Sequence, residues 1–171
     1  MTFTFCPKCG ARLEARRIED RDRPTCPGCG FVHYNNALPC VGVLALKQGN
    51  VLLVKRAVEP FKGYWDIPGG FLESDEHPYV GAKREFLEET GLKIEPTEVL
   101  GFFMDIYGED EEPTLNICLL ARVTGGQERA GSDAVGLEWF PLDALPQNIA
   151  FNWEREALDL LAQRLEAEAD S

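Results

Sequence analysis

Two cysteine pairs, Cys6-Pro-Lys-Cys9 and Cys26-Pro-Gly-Cys29, stand 16 residues apart near the start of this chain. That is the spacing of a four-cysteine zinc site, which fixes a small fold without needing a core of its own. A glycine follows each pair, Gly10 and Gly30, where the turn around a tetrahedral metal calls for positive φ. Two disulfides are the competing reading. The start of the chain lacks the basic and long apolar regions of a signal peptide, and no apolar run nears the roughly 18 residues of a membrane helix. The expected location is therefore the cytoplasm, where thiolates persist as metal ligands rather than as bridges. Four cysteines close the tetrahedron, so the zinc is expected to be structural. Cys40 and Cys118 differ: each lies in an apolar run and reads as a buried, inert thiol.

At 171 residues the chain has room for one ordinary domain plus a small appendage. Its net charge of −12 is unevenly spread. Residues 1–36 carry six basic and four acidic side chains, leaving eleven basic and 25 acidic on 37–171. The acidic excess disfavours nonspecific binding to polyanions. Within the first segment, Arg12 to Arg23 mixes both signs and reads as a solvated hairpin loop. The expected division is 1–36 and 37–171.

Strand patterns begin after Asn36. Cys40–Leu46 and Val51–Val54 flank Lys47-Gln-Gly-Asn50, a hairpin signal. Glu98–Tyr107 and Thr114–Val123 flank the acidic loop Gly108–Pro113, and Leu137–Phe140 is a further short strand. Helices are expected over Pro78–Thr90, ended by Gly91, and over Trp153–Glu168, with Asn152 as N-cap. A mixed sheet covered by helices, an α/β layered domain, follows.

On the first helix Glu85, Glu88 and Glu89 stand at i, i+3 and i+4, so three carboxylates share one face. Like charges at this spacing repel, and Gly81 in the same helix costs about 1 kcal/mol relative to alanine. Repeated local violations in one helix point to a site. Clustered carboxylates without histidine or thiolate suit Mg²⁺ or Mn²⁺ shared with substrate phosphates. The chemistry suggested is attack of an activated water on a phosphoryl group. Glycines 69 and 70 after Pro68 would let backbone approach metal or phosphate closely.

The whole spacing, Gly70, five residues, Glu76, seven residues, then Arg84-Glu-Phe-Leu-Glu-Glu-Thr-Gly-Leu92, resembles the Nudix box at every fixed position. The resemblance extends over about residues 37–165, through Val51–Arg56, Gly63–Gly70 and Trp139–Pro146. It implies an α/β/α sandwich with a mixed sheet, preceded here by the zinc ribbon. It also implies hydrolysis of a nucleoside diphosphate linked to a group X, with Mg²⁺ or Mn²⁺ on the box helix. Position by position, Glu85, Glu88, Glu89 and the Gly69 carbonyl resemble metal ligands, Arg84 the residue that orients the helix glutamates, Glu76 an auxiliary carboxylate, and Arg56 a phosphate-contacting arginine. Family members differ in their general base. Glu85 is the first choice here, with Asp133 and Glu138 as alternatives. Asp75 departs from the glycine that many members carry before the box glutamate.

A zinc ribbon ahead of the box also occurs in NADH pyrophosphatases, but those carry a Ser-Gln-Pro-Trp-Pro-Phe-Pro array after the box, where this chain has Gly101–Tyr107. The resemblance is closer to members acting on ADP-ribose or flavin adenine dinucleotide (FAD). Tyr64, Trp65, Phe102 and Phe103 are candidate pocket walls, since a planar base stacks on aromatic rings. The partner expected is thus a small nucleotide substrate, with no membrane, nucleic acid disfavoured and a homodimer left open. Two other functions remain: a nucleoside triphosphate or capped-RNA hydrolase, and a nucleotide-sensing regulator. The intact box favours catalysis over sensing.

Overall fold

The computed structural model describes residues 3–108 and 111–169; Glu109 and Asp110 of the acidic loop lie outside the described residues. A two-stranded antiparallel ribbon comes first, β1 (Glu14–Ile18) and β2 (Arg21–Thr25). Its turn places Glu19 and Asp20 at φ 50° and 62°, the conformation that matches hairpin twist.

The main sheet has seven strands: β3 (Leu38–Lys47), β4 (Asn50–Arg56), β5 (Trp65–Asp66), β6 (Gly69–Phe71), β7 (Leu92–Tyr107), β8 (Glu112–Gly126) and β9 (Ala134–Pro141). The backbone order is β5-β4-β3-β8-β7, with β6 added on β3 and β9 on β4. Among the described strands β3 and β8 pair in parallel and the other strand–strand pairings are antiparallel, so the sheet is mixed.

Central strands are apolar throughout because both faces are covered. Val41, Val43 and Ala45 of β3 face one core with Leu52, Leu119, Phe86 and Ala82; that core lies under helix α1 (Pro78–Thr90). Leu44, with Val51, Leu53, Cys118 and Leu120, faces a second core under helix α2 (Asn152–Ala169). The result is the expected helix–sheet–helix sandwich. No helix among the described residues is long and apolar enough to cross a membrane.

Helix α1 has the expected bounds. His77 caps it, its Nδ1 accepting from the Tyr79 amide at 3.2 Å, and Pro78 follows at the first helical position. Gly91 closes it at φ 72°, donating its amide to the Leu87 carbonyl. Helix α2 differs from expectation at its start: Asn152 is already helical. The Phe151 amide donates to Glu154 Oε2 at 3.2 Å, so a carboxylate reaching back from inside the helix replaces the expected asparagine cap.

Candidate active site

Strand β6 and helix α1 bring the two ends of the box together. Arg84 is the hub. Its Nε and Nη2 donate to both Glu76 oxygens at 2.9 and 2.7 Å, a bidentate fork, while Nη1 donates to Glu85 Oε1 at 2.6 Å. Nη2 also reaches the Phe71 carbonyl on β6 at 3.2 Å, tying the helix to that strand. Glu88, four residues on, makes a looser ion pair with Arg84 at 3.6 Å. Hydrogen bonds from Arg84 hold the Glu76 carboxyl below its ordinary range. Gly81, costly for helix formation, is explained by closeness: a Cβ there would come within 2.9 Å of Glu76 Oε2.

A cavity of about 330 Å³ opens beside this cluster. Glu85 and Glu89 line it, along with Gly69, Gly70, Arg56, Asp66 and Asp133. Burial raises the Glu85 carboxyl, against the opposing pull of Arg84. Burial, reinforced by the charge of Asp66, pushes Glu89 up to about 8, even though Glu89 Oε2 accepts the Gly69 amide at 3.0 Å. Two adjacent carboxylates raised in this way form a hard-oxygen set that a divalent cation would suit. Glu88 projects elsewhere; its side chain is 61% exposed and does not line the cavity.

Arg56, at the end of β4, also lines the cavity. It is ion-paired to Asp66, donates Nε to the Pro60 carbonyl at 2.7 Å, and stands 5.3 Å over the Phe151 ring. Burial works against its charge, but Asp66 and Tyr107 outweigh that and raise its pKa. Asp66 in turn is hydrogen-bonded to the fully buried Glu154. Glu154 Oε1 accepts the Ile67 amide at 2.7 Å. Desolvation, then the charge of Asp66, raises Glu154 well above the ordinary carboxylate value, so it carries the proton of this pair. Sequence reading missed Asp66 and Glu154. A lone aspartate after a tryptophan and a glutamate in an amphipathic helix carry no periodic signal; only the fold brings them together.

The aromatic walls need correction. Phe71, Tyr107, Phe151 and Trp153 line the cavity; Tyr64, Trp65, Phe102 and Phe103 do not. Trp65 packs edge-on against Phe140 in the second core, 4.8 Å between centroids. Phe103 points into the same core beside Trp153. Phe102, alternating on β7, is turned outward and 67% exposed. Tyr64 lies in a neighbouring depression with Phe61. Of the alternative bases, Asp133 lines the cavity, whereas Glu138 is an exposed residue of β9 opposite Leu53 and does not. Cys40 and Cys118 are buried as expected. Burial, with Glu85 nearby, pushes the Cys40 thiol up to about 12.

In the ribbon, one ligand atom from each of Cys6, Cys9, Cys26 and Cys29 lies within 4.8 Å of the others. The Sγ separations Cys6–Cys29 and Cys9–Cys26 are 3.6 and 3.4 Å. Tetrahedral zinc with bonds of about 2.3 Å sets sulfur atoms roughly 3.8 Å apart, so the cluster fits that metal.

The NUDIX domain family matches residues 37–161. This chain belongs to the Nudix family. The zinc-ribbon family described as Nudix N-terminal matches residues 4–35 of the same Nudix chain. A protein of Methanocaldococcus jannaschii named ADP-ribose pyrophosphatase is 36% identical over 152 residues, covering 89% of this chain and 86% of the relative. A Vibrio atlanticus protein named NAD-capped RNA hydrolase NudC is 26% identical, over 85% of this chain and 52% of that one. Among solved structures, a NUDIX hydrolase from Nitrosomonas europaea superposes with a TM-score of 0.79 at 28% identity, covering 99% of this chain and 94% of the other. The Nudix chain is accordingly a pyrophosphohydrolase with an N-terminal zinc-ribbon module.

Proposed function

We propose that this Nudix hydrolase cleaves, with Mg²⁺ or Mn²⁺, the pyrophosphate of a nucleoside diphosphate linked to a second group, with ADP-ribose and FAD as the leading substrates, releasing two monophosphates. The observation that carries the reading is the convergence of Glu85, Glu89 and Arg56 on one cavity. These carboxylates would hold a divalent cation, which when bound would supply charge neutralisation at the phosphate oxygens and lower the pKa of a coordinated water. Glu85, Glu89 and the Gly69 carbonyl are the proposed ligands, and Glu88 joins them by a side-chain rotation from its exposed position.

Arg84 fixes Glu85 in place through the Glu76 fork and does not itself face the phosphate. Arg56, held by Asp66 and Pro60, presents its charge to the diphosphate. The proton of the attacking water passes to Glu85 or to Asp133, the two base candidates on the cavity wall. The zinc in residues 1–36 is structural, and residues 37–171 form the catalytic domain. The similarity to the archaeal protein named ADP-ribose pyrophosphatase supports a substrate in which a nucleoside diphosphate is linked to a second group.

Incubating the protein with Mg²⁺ and ADP-ribose, FAD, NADH or a set of triphosphates, and identifying the products, tests this. AMP plus ribose 5-phosphate is expected from ADP-ribose. A triphosphate leading in kcat/KM by tenfold or more would move the assignment to the triphosphatase reading.

A further inference from the structure

The cavity at the metal-side carboxylates does not end at Phe151. Its volume of about 330 Å³ lies at the low end of small-molecule sites, too little for a diphosphate carrying ring systems at both ends. A second depression of about 410 Å³ adjoins it, and the two share Ile106 and Phe151 as a common wall. Phe61, Tyr64 and Arg155 complete the second depression.

Two exposed rings, Phe61 and Tyr64, form a shelf there, backed by the buried Phe151. Phe61 meets Phe151 edge-on at 5.1 Å and Tyr64 at 5.7 Å between centroids. Phe61 and Tyr64 remain 42% and 41% exposed, so the cluster is not an interior one. Phe61 stands at φ 63°, a left-handed conformation that is an outlier for a bulky side chain.

The loop that carries Phe61 is fastened on both sides. Arg56 Nε binds the Pro60 carbonyl, the Gly63 amide donates to the Arg56 carbonyl at 3.0 Å, and Asn148 Nδ2 donates to the Gly63 carbonyl at 3.3 Å. Phe151 is thus contacted by the Arg56 guanidinium at 5.3 Å, by the Phe61 ring edge-on, and by Tyr107 stacked at 5.7 Å, which links the diphosphate side of the site to the outer rings. A ligand whose diphosphate meets Arg56 is led past Phe151 onto the Phe61–Tyr64 rings.

We infer that the exposed Phe61–Tyr64 shelf, backed by the buried Phe151, is a subsite for the second planar ring, the one that FAD carries beyond the diphosphate and ADP-ribose lacks, and that it favours dinucleotides over nucleotide-sugars. Stacking on exposed aromatic rings is worth about 1–3 kcal/mol per base, roughly 5- to 150-fold in affinity. The inference rests on the diphosphate reading above and goes beyond it by assigning the ring-binding surface.

The test measures KM and kcat of the full-length protein with FAD and with ADP-ribose, for wild type, Phe61→Ala, Phe61→Gly and Tyr64→Ala. Glycine relieves the left-handed strain, so Phe61→Gly separates loss of the ring from collapse of the loop. For FAD, KM is expected to rise about tenfold in all three variants with kcat within twofold; for ADP-ribose both constants should stay within twofold. Equal changes for the two substrates, or none for FAD, would overturn the shelf. Absence of wild-type turnover on both would instead overturn the diphosphate reading. In that case FAD binding to wild type and Phe61→Gly, followed by flavin fluorescence, still decides the shelf: equal affinities reject it.

Discussion

Gly70 lies so close to Glu85 that a Cβ added to it would stand 2.6 Å from the Glu85 carboxyl carbon. The glycine is what lets β6 run past the carboxylate while Arg84 holds that carboxylate in place. Gly70→Ala displaces the tip of a side chain rather than backbone, so the fold should tolerate it. Hydrolysis should fall by about 10²-fold, since misplacing a metal-side carboxylate by an ångström removes aligned charge stabilisation. Turnover with saturating Mg²⁺, alongside a thermal melt, separates the two effects; wild-type turnover would mean that Glu85 need not be where it is.

Glu85→Gln and Glu89→Gln should each lose at least about 10² in kcat while the protein stays folded, because each removes a charged oxygen from the cavity wall. Mn²⁺ titration followed by electron paramagnetic resonance should show weakened metal binding in step with the loss. Retained Mn²⁺ affinity with lost turnover would assign the glutamate to proton transfer instead.

How far the sequence led depended on whether the information was local. The bounds of α1 were legible because Pro78 and Gly91 are punctuation with a physical mechanism. The sandwich was legible from apolar runs flanking a charged helix. The walls of the cavity were not. Phe102 and Phe103 are neighbours on β7, and which one faces the core depends on register shifts at Pro96/Glu98 and Val99/Gly101 that no spacing rule announces. Trp65 and Tyr64 part for the same alternation, one into the core and one into the outer depression. Asp66 and Glu154 are 88 positions apart in the chain and become partners only when α2 packs on the sheet.

The ribbon should depend on its metal. One zinc per chain is expected in protein purified under reducing conditions, and Cys26→Ser should unfold residues 1–36 far more than it slows turnover by the remainder. Amide hydrogen exchange resolves the two segments. Intact protection of β1 and β2 after zinc removal would show that the hairpin holds without the metal.

The buried carboxyl of Glu154 should leave its mark on stability as a function of pH. Its pKa in the folded protein is raised well above the value near 4.5 that it has when exposed, first by burial and then by the charge of Asp66. The folded state thus holds a proton that the unfolded chain releases. Its contribution to stability is fully present below pH 4.5 and is lost progressively as pH rises through the folded value. Glutamine has the shape and donor capacity of the protonated acid: its amide can donate to Asp66 while its carbonyl accepts the Ile67 amide. Glu154→Gln should therefore leave one of two backbone bonds unmade, at a cost of about 1–3 kcal/mol, but remove this part of the pH dependence. Melting temperatures from pH 5 to 9 should fall more steeply for wild type than for Glu154→Gln, so that the two curves converge at high pH. Parallel curves would show that the Glu154 carboxyl is not held protonated in the folded protein.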